Sequence, residues 1–222
     1  MDQGPKSYWA EFLGTFTLCF IGQGAVVVHQ LTGQPGLLGI AIAFGLALAV
    51  MISALGATSG GHFNPAVTLG FVVTGRQSWT SAITYWISQV MGAVVASFLL
   101  RAVLPGEAGD ACHYGAAAVN PLISTTQAVL LEFVLTFLLV TTVWGTAVDE
   151  RGPRIGGLGI GLALLLGVLV GGPLTGGALN PARAFGAALI SGTWGNHWVW
   201  WVGPLLGGAA AARVYKSVVL KP

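Results

Sequence analysis

Two identical triplets, Asn64-Pro65-Ala66 and Asn180-Pro181-Ala182, carry the side chains best suited to chemistry in this sequence. Asparagine is among the preferred residues at the N-cap of a helix. Proline fits the first turn because its φ is already set and no needed N–H is lost. Each triplet therefore predicts the start of a helix. There the asparagine amide can donate hydrogen bonds beside the partial positive charge of the helix N-terminus.

Three charged residues lie inside strongly apolar stretches: Glu11, Glu132 and Arg183. Charges in such places are costly and usually functional. Arg183 indicates either a hydrogen-bond donor that faces a polar conduit or a structural contact to loop carbonyls. The two acids could serve proton-coupled transport, or they could accept hydrogen bonds that hold neighbouring loops. Their equivalent positions in a duplicated chain, described below, favour the second interpretation.

The remaining residues indicate no enzyme. We find no Ser/His/Asp set, no metal-ligand spacing and no phosphate-binding loop, so neither a cofactor nor a metal is expected. Cys19 and Cys112 do not make a disulfide framework. A net charge of +2 gives no reason to expect a nucleic-acid partner.

The composition is that of a protein embedded in a lipid bilayer. Only 7% of the residues are charged, against about 25% in an ordinary soluble domain. Six stretches reach the roughly 20 apolar residues that a membrane-spanning helix needs. They are residues 8–30, 36–57, 79–104, 123–148, 155–173 and 196–219. Two further apolar segments, Asn64–Thr74 and Asn180–Ser191, are too short to cross and predict re-entrant pieces.

The chain is duplicated within one domain, residues 1–222, with repeats at about 7–104 and 123–219. Glu11-Phe12 matches Glu132-Phe133, the two Asn-Pro-Ala segments match each other, and Gly92 matches Gly207, at offsets of 121, 116 and 115 residues. Each repeat holds three spans, an odd number, so the second repeat must be inverted in the membrane. Inverted repeats occur in channels and in secondary transporters, with the working site near the midplane.

Inversion brings the two short helices together, N-terminus to N-terminus, inside the bilayer. Non-helical backbone at that depth is tolerated where it lines a wet cavity or is buried in protein. The residues before each asparagine are therefore predicted to present two rows of carbonyl acceptors. They are Gly60, Gly61, His62 and Phe63 in the first repeat, and Gly176, Gly177, Ala178 and Leu179 in the second.

Basic residues are unevenly distributed between the two sides of the membrane. With six spans, both chain ends lie on one side, and seven of the nine Lys and Arg residues fall there. They are Lys6, Arg76, Arg151, Arg154, Arg213, Lys216 and Lys221. The positive-inside rule predicts cytoplasmic termini, and we expect the plasma membrane as the compartment. Tryptophans near span ends are expected at the membrane interface: Trp79, Trp194, Trp198, Trp200 and Trp201.

Both motif segments resemble the signatures of the aquaporin, or major intrinsic protein, family. Residues 59–68 resemble the first signature and residues 176–186 the second. The resemblance implies an all-α hourglass of six spans and two half-helices, a homotetramer in the bilayer with one pore per subunit, and no cofactor. It also implies that Glu11 and Glu132 support the loops. A selectivity filter is implied at Phe44, Val168, Gly177 and Arg183.

The substrate implied by the resemblance is water, moving passively while protons and ions are excluded. Strictly water-selective members usually carry histidine where this chain has Val168, so small neutral solutes such as ammonia or urea are also expected. Three other interpretations stay open: a glycerol facilitator, a secondary transporter, and a structural protein with a closed pore. Asparagines rather than acids at the broken helices weigh against the transporter, and the intact motifs weigh against the closed pore.

Overall fold

A computed structural model describes residues 4–220, and every regular element within them is helical. In chain order the α-helices are α1 Pro5–Thr32, α2 Gly36–Ser59, α3 Pro65–Val73, α4 Trp79–Val103, α5 Gly106–Ala111, α6 Thr125–Val143, α7 Leu158–Thr175, α8 Pro181–Ser191 and α9 Val199–Val214. Short π-helical turns, Trp144–Val148 and Tyr215–Val219, extend α6 and α9. The predicted all-α fold is confirmed, with the span boundaries correct to within about three residues.

Five helices are long and apolar enough to cross a membrane by length and composition: α1, α2, α4, α6 with its extension, and α7. The sixth predicted span is α9, whose 16 residues continue through the five-residue π-turn. Large apolar side chains face outward on these helices, for example Phe98 (64% exposed), Leu166 (62%) and Val50 (61%). Such exposure suits a surface that meets lipid rather than water.

Glycines allow the helices of each repeat to approach closely. α4 packs on α1 where a Cβ on Gly92 would overlap the Phe12 carbonyl, and α9 packs on α6 where a Cβ on Gly207 would overlap the Phe133 carbonyl. α2 meets α7 at Gly45 and Gly161, which also leave no room for side chains. The small-residue pairs Gly157–Gly161 and Gly203–Gly207 therefore pack helices within one chain.

We predict that Gly207→Ala destabilises the protein by roughly 1–3 kcal/mol, because the new methyl group would push α9 away from α6. Gly56→Ala is the matched control, since its Cβ would meet only the Ile52 side chain at 3.6 Å. Thermal unfolding of both purified variants in detergent should show a lower melting temperature for Gly207→Ala alone. Equal melting temperatures would contradict the close contact between these helices.

One end of the helix bundle holds two basic residues beside the last described turn, Tyr215–Val219, and the end of α3. Lys216 Nζ donates to the Thr74 carbonyl at 2.8 Å, and Arg151 Nη2 donates to the Val219 carbonyl at 3.0 Å. Two bonds from the Arg151 guanidinium hold the pKa of the Asp149 carboxyl well below its usual range. Arg101 lies at the opposite end, bonded to the Ile190 carbonyl. Lys221, which contributes to the orientation prediction, lies outside the described residues.

The connection between the repeats holds structure that the sequence did not predict. After α5, a 3₁₀ turn at His113–Gly115 places the Tyr114 ring against Gly109. Beyond it, the Asn120 N–H donates to the Leu174 carbonyl at 2.8 Å, so the connection packs against the end of α7. The interface assignment of Trp200 is wrong, because the ring is only 1% exposed and its Nε1 donates to the Thr175 carbonyl.

Candidate functional site

Asn64 and Asn180 are the N-caps of α3 and α8, as predicted, and their side chains bond across the repeats. Asn64 Oδ1 accepts from the Ala66 N–H at 2.8 Å, and Asn180 Oδ1 accepts from the Ala182 N–H at 3.0 Å. Asn64 Nδ2 donates to the Leu179 carbonyl, and Asn180 Nδ2 donates to the Phe63 carbonyl, both at 2.8 Å. The two half-helices therefore meet at their N-termini, held by a reciprocal pair of bonds.

The residue before each asparagine has an unusual backbone conformation. Phe63 (φ 47°) and Leu179 (φ 53°) lie in the left-handed region, which costs a non-glycine residue on the order of 1–2 kcal/mol. Each lies two residues after a Gly-Gly pair that also has positive φ, Gly60-Gly61 and Gly176-Gly177. These turns direct the chain from a spanning helix into a half-helix, and they need external support to persist.

Glu11 and Glu132 supply that support from equivalent positions. Glu11 accepts from the backbone N–H groups of His62 (3.0 Å) and Phe63 (2.7 Å). Glu132 accepts from those of Ala178 (2.9 Å) and Leu179 (2.8 Å). Both carboxylates are fully buried. Each also accepts from a hydroxyl at 2.7 Å, Ser59 for Glu11 and Thr175 for Glu132.

The first repeat has a polar cluster that the second lacks. Gln89 Nε2 donates to Glu11 at 2.8 Å and to Thr68 Oγ1 at 3.0 Å, and Thr68 Oγ1 lies 3.1 Å from Nδ1 of His62. The equivalent positions in the second repeat hold Pro204, Ala184 and Ala178. The first repeat therefore has a histidine ring held by a side-chain hydrogen bond, whereas the equivalent residue of the second repeat is an alanine.

A cavity lies between the two repeats, and most of its lining falls into repeat-equivalent pairs. These are Leu18 and Leu139, Phe44 and Ile160, Leu48 and Leu164, His62 and Ala178, Asn64 and Asn180, and Val67 and Arg183. Ile52, Gly61 and Val143 complete the lining. The walls are thus largely apolar, with polar groups concentrated at the asparagines, His62 and Arg183. Such a cavity offers a small polar solute few binding partners between these points.

Arg183 is the one lining residue with a full charge among those that the structure describes. It is the third residue of α8, in the first turn of that helix, and its Nη2 donates to the Gly176 carbonyl at 3.1 Å. Its Cζ lies 4.9 Å from the centre of the Phe44 ring, a cation–π contact. Nη1 is buried and has no protein partner within the described residues. Arg183 therefore combines a structural contact with an unused donor at the cavity.

The other predicted filter residues are placed differently. Val168 and Gly177 lie against each other, with the Val168 Cα 3.1 Å from where a Cβ on Gly177 would stand. Neither is among the residues that line this cavity, whereas Phe44 and Arg183 both are. The structure thus joins two of the four predicted filter residues directly and places the other two as a neighbouring pair.

Three of the eight predicted carbonyl acceptors are already bonded within the protein. The Phe63 and Leu179 carbonyls receive the asparagine amides, and the Gly176 carbonyl receives Arg183. The predicted acceptor residues that line the cavity are Gly61, His62 and Ala178. Within residues 4–220 no group of three or more His, Cys, Asp or Glu side chains could hold a metal ion.

Several residues of the site were not recognised from the sequence. The apolar lining could have been found by applying the repeat offsets to pairs such as Leu18 and Leu139. Gln23 carried no motif, yet its Nε2 donates to the Arg183 carbonyl at 3.2 Å and its Oε1 accepts from Ser97 at 2.9 Å. Gln89 likewise belongs to no sequence motif, because its partners Glu11 and Thr68 lie on other helices.

Comparison with known proteins gives a consistent result. Residues 3–215 match the family described as Major intrinsic protein. The chain is 40% identical to "Aquaporin TIP2-1" of Arabidopsis thaliana, over 97% of this chain and 88% of that protein. It is 42% identical to "Aquaporin TIP2-3" of Zea mays, with the same coverage. Its fold matches the aquaglyceroporin of Plasmodium falciparum with a TM-score of 0.87 at 28% identity, over 96% of each chain.

Proposed function

This chain belongs to the major intrinsic protein family, and on that basis we propose that it is a passive water channel through the conduit between its repeats. The observation that carries the proposal is the pair of asparagine amides at the meeting point of the half-helices. One N–H of each amide is bonded to a backbone carbonyl, which leaves one N–H for a solute. The aquaporin names of the relatives agree with this interpretation.

Water would cross the asparagines in single file. At that point the water oxygen accepts hydrogen bonds from Asn64 and Asn180. Its two hydrogens must then point away from the asparagines, towards the two ends of the conduit, because the apolar walls offer no other partner. The two half-helix N-termini add partial positive charge at the same place. This orientation interrupts a chain of donor-to-acceptor water molecules, so proton relay is opposed along with cation passage.

We propose that the outer end of the conduit selects solutes through Phe44, Val168, Gly177 and Arg183. Phe44 supplies bulk and Arg183 supplies a donor and a charge, while Val168 and Gly177 add no polar side chain to their side of the proposed filter. Ammonia and urea are therefore proposed as additional solutes. A glycerol facilitator is the alternative, and it draws support from the likeness of the fold to an aquaglyceroporin.

Stopped-flow light scattering on proteoliposomes tests the proposal. After an osmotic step, vesicles that contain the protein should shrink faster than protein-free vesicles, with a low activation energy. Parallel gradients of urea, glycerol and ammonia would rank the solutes. Glycerol flux that keeps pace with water would favour the facilitator. Solute uptake that requires a Na⁺ or H⁺ gradient would contradict passive conduction altogether.

We expect Val168→His to reduce urea permeability about fivefold or more while water permeability falls by less than about twofold, since the imidazole adds bulk and a donor to the apolar side of the proposed filter. Both permeabilities are measured on the same vesicle preparations. Val170→His is the matched control, because Val170 is 55% exposed on the outer face of α7. Equal slowing of urea and water by Val168→His would contradict the filter position of Val168.

We also propose cytoplasmic termini and a homotetramer with one conduit per subunit. The gathering of Arg151, Lys216 and the C-terminal turn at one end of the bundle supports the orientation. The TIP names of the relatives do not support the expected plasma membrane. Protease protection of a C-terminal tag and cross-linking in native membranes would test the orientation and the tetramer.

A further inference from the structure

The Phe44 ring is confined between two residues of different elements. On one side lies Gly22 of α1, where a Cβ would overlap the ring carbons Cγ, Cδ1 and Cε1. The ring also stacks with the Arg183 guanidinium, 4.9 Å from its centre. Phe44 is only 2% exposed, and the space beside it is the cavity that it lines. The position of the ring therefore depends on the missing side chain at residue 22.

The backbone of α2 cannot readily move to relieve a larger residue at position 22. Gly45, the next residue, packs against α7 so closely that its own Cβ would stand 2.6 Å from the Gly161 carbonyl oxygen. A shift of α2 away from α1 would therefore drive α2 into α7. Because α1 is likewise packed closely on α4 at Gly92, where a Cβ would overlap the Phe12 carbonyl, the adjustment should come from the Phe44 side chain.

The second repeat fills the equivalent positions in the opposite manner. By the repeat offsets, Val143 corresponds to Gly22 and Ile160 to Phe44. Val143 and Ile160 both line the cavity, whereas Gly22 is buried behind the Phe44 ring. In the second repeat, a valine on the first helix thus accompanies an isoleucine on the second helix. In the first repeat, a glycine on the first helix accompanies a phenylalanine on the second helix.

From these contacts we propose that Gly22 is a specificity-determining residue, because it sets how far the Phe44 ring projects into the outer end of the conduit. The inference rests on the proposed water channel and adds a position outside the four predicted filter residues. Gly22 touches no solute. It acts through the ring, which in turn stacks on the Arg183 guanidinium.

The test begins with Gly22→Ala in proteoliposomes, with water and urea permeability measured per incorporated channel. The methyl group should push the ring toward the cavity, so the ratio of urea to water permeability should fall at least about threefold. Gly24→Ala is the matched control on the same helix, since its Cβ would meet only a Leu100 methyl at 3.2 Å. It should leave the ratio unchanged.

Phe44→Ile, alone and combined with Gly22→Ala, isolates the ring. In the Phe44→Ile background, Gly22→Ala should have little effect on the ratio, because the smaller side chain leaves room for the methyl group. An unchanged ratio in Gly22→Ala, or an equal fall in both backgrounds, would overturn the inference. If Gly22→Ala fails to fold, recovery in the double variant would support the ring contact, and failure of both would contradict it.

These outcomes are distinct from failure of the proposed function. Wild-type vesicles that shrink no faster than protein-free vesicles would contradict the water channel itself. Wild-type vesicles that conduct water, with a ratio insensitive to Gly22→Ala, would leave the channel in place and remove only the role of Gly22.

Discussion

Glu132→Gln should lower the stability of the protein by roughly 3 kcal/mol and abolish most of its water permeability, because a buried hydrogen-bond donor is left facing another donor. The carboxylate accepts from the Thr175 hydroxyl and from the N–H groups of Ala178 and Leu179. Glutamine offers one oxygen and one NH₂ group, so at least one of these donors meets an N–H. Leu179, with φ 53°, would then lose support for a strained conformation.

The equivalent change Glu11→Gln should lower the stability of the protein less than Glu132→Gln does, and this expected difference makes the prediction more specific. Gln89 donates to Glu11, and its own Oε1 has no partner within the described residues. By rotating its amide, Gln89 could accept from a new NH₂ group at position 11. The second repeat has Pro204 at the equivalent position and cannot respond in this way.

Thermal unfolding in detergent and stopped-flow water permeability would be measured for both variants. Glu150→Gln is the control, since it makes the same chemical change at an exposed position of the loop after α6. The expected order of destabilisation is Glu132→Gln, then Glu11→Gln, then Glu150→Gln. If Glu11→Gln destabilised the protein more than Glu132→Gln, the proposed compensation by rotation of the Gln89 amide would be contradicted.

Much of this architecture could be predicted because its determinants are local in sequence. Apolar runs fix the spans, and the Asn-Pro pairs fix the starts of α3 and α8. The duplication then brings the two starts together without any knowledge of the packing. Each of these steps uses residues that are adjacent or that recur at a fixed offset.

The unpredicted parts depend on partners distant in the chain. Trp200 lies near a span end, which predicts a place at the membrane interface. It is buried instead, and its Nε1–H donates to the Thr175 carbonyl, 25 residues away in the chain. Left-handed φ values at Phe63 and Leu179 are disfavoured locally and persist because Glu11 and Glu132 bind the neighbouring N–H groups. Gly22 is one glycine among 34, and only the packed ring of Phe44 distinguishes it.

Arg183→Val should raise the proton and cation permeability of the channel about tenfold or more, while water permeability changes by less than about threefold. Valine is the residue at the equivalent lining position of the first repeat, Val67. The change removes the one full charge among the described lining residues. A unit charge about 4 Å away at an effective dielectric of 20 opposes a cation by about 4 kcal/mol, which is enough for such an effect.

Arg183→Lys separates charge from geometry. Lysine keeps the positive charge, but it cannot reproduce the planar contacts to the Gly176 carbonyl and the Phe44 ring. Proton flux, followed with a pH-sensitive dye under an imposed potential, should stay low in Arg183→Lys and rise in Arg183→Val. Urea permeability should rise in both, because the ring loses its stacking partner. Unchanged proton flux in Arg183→Val would contradict this role of Arg183 and assign proton exclusion to the asparagines and the half-helix termini.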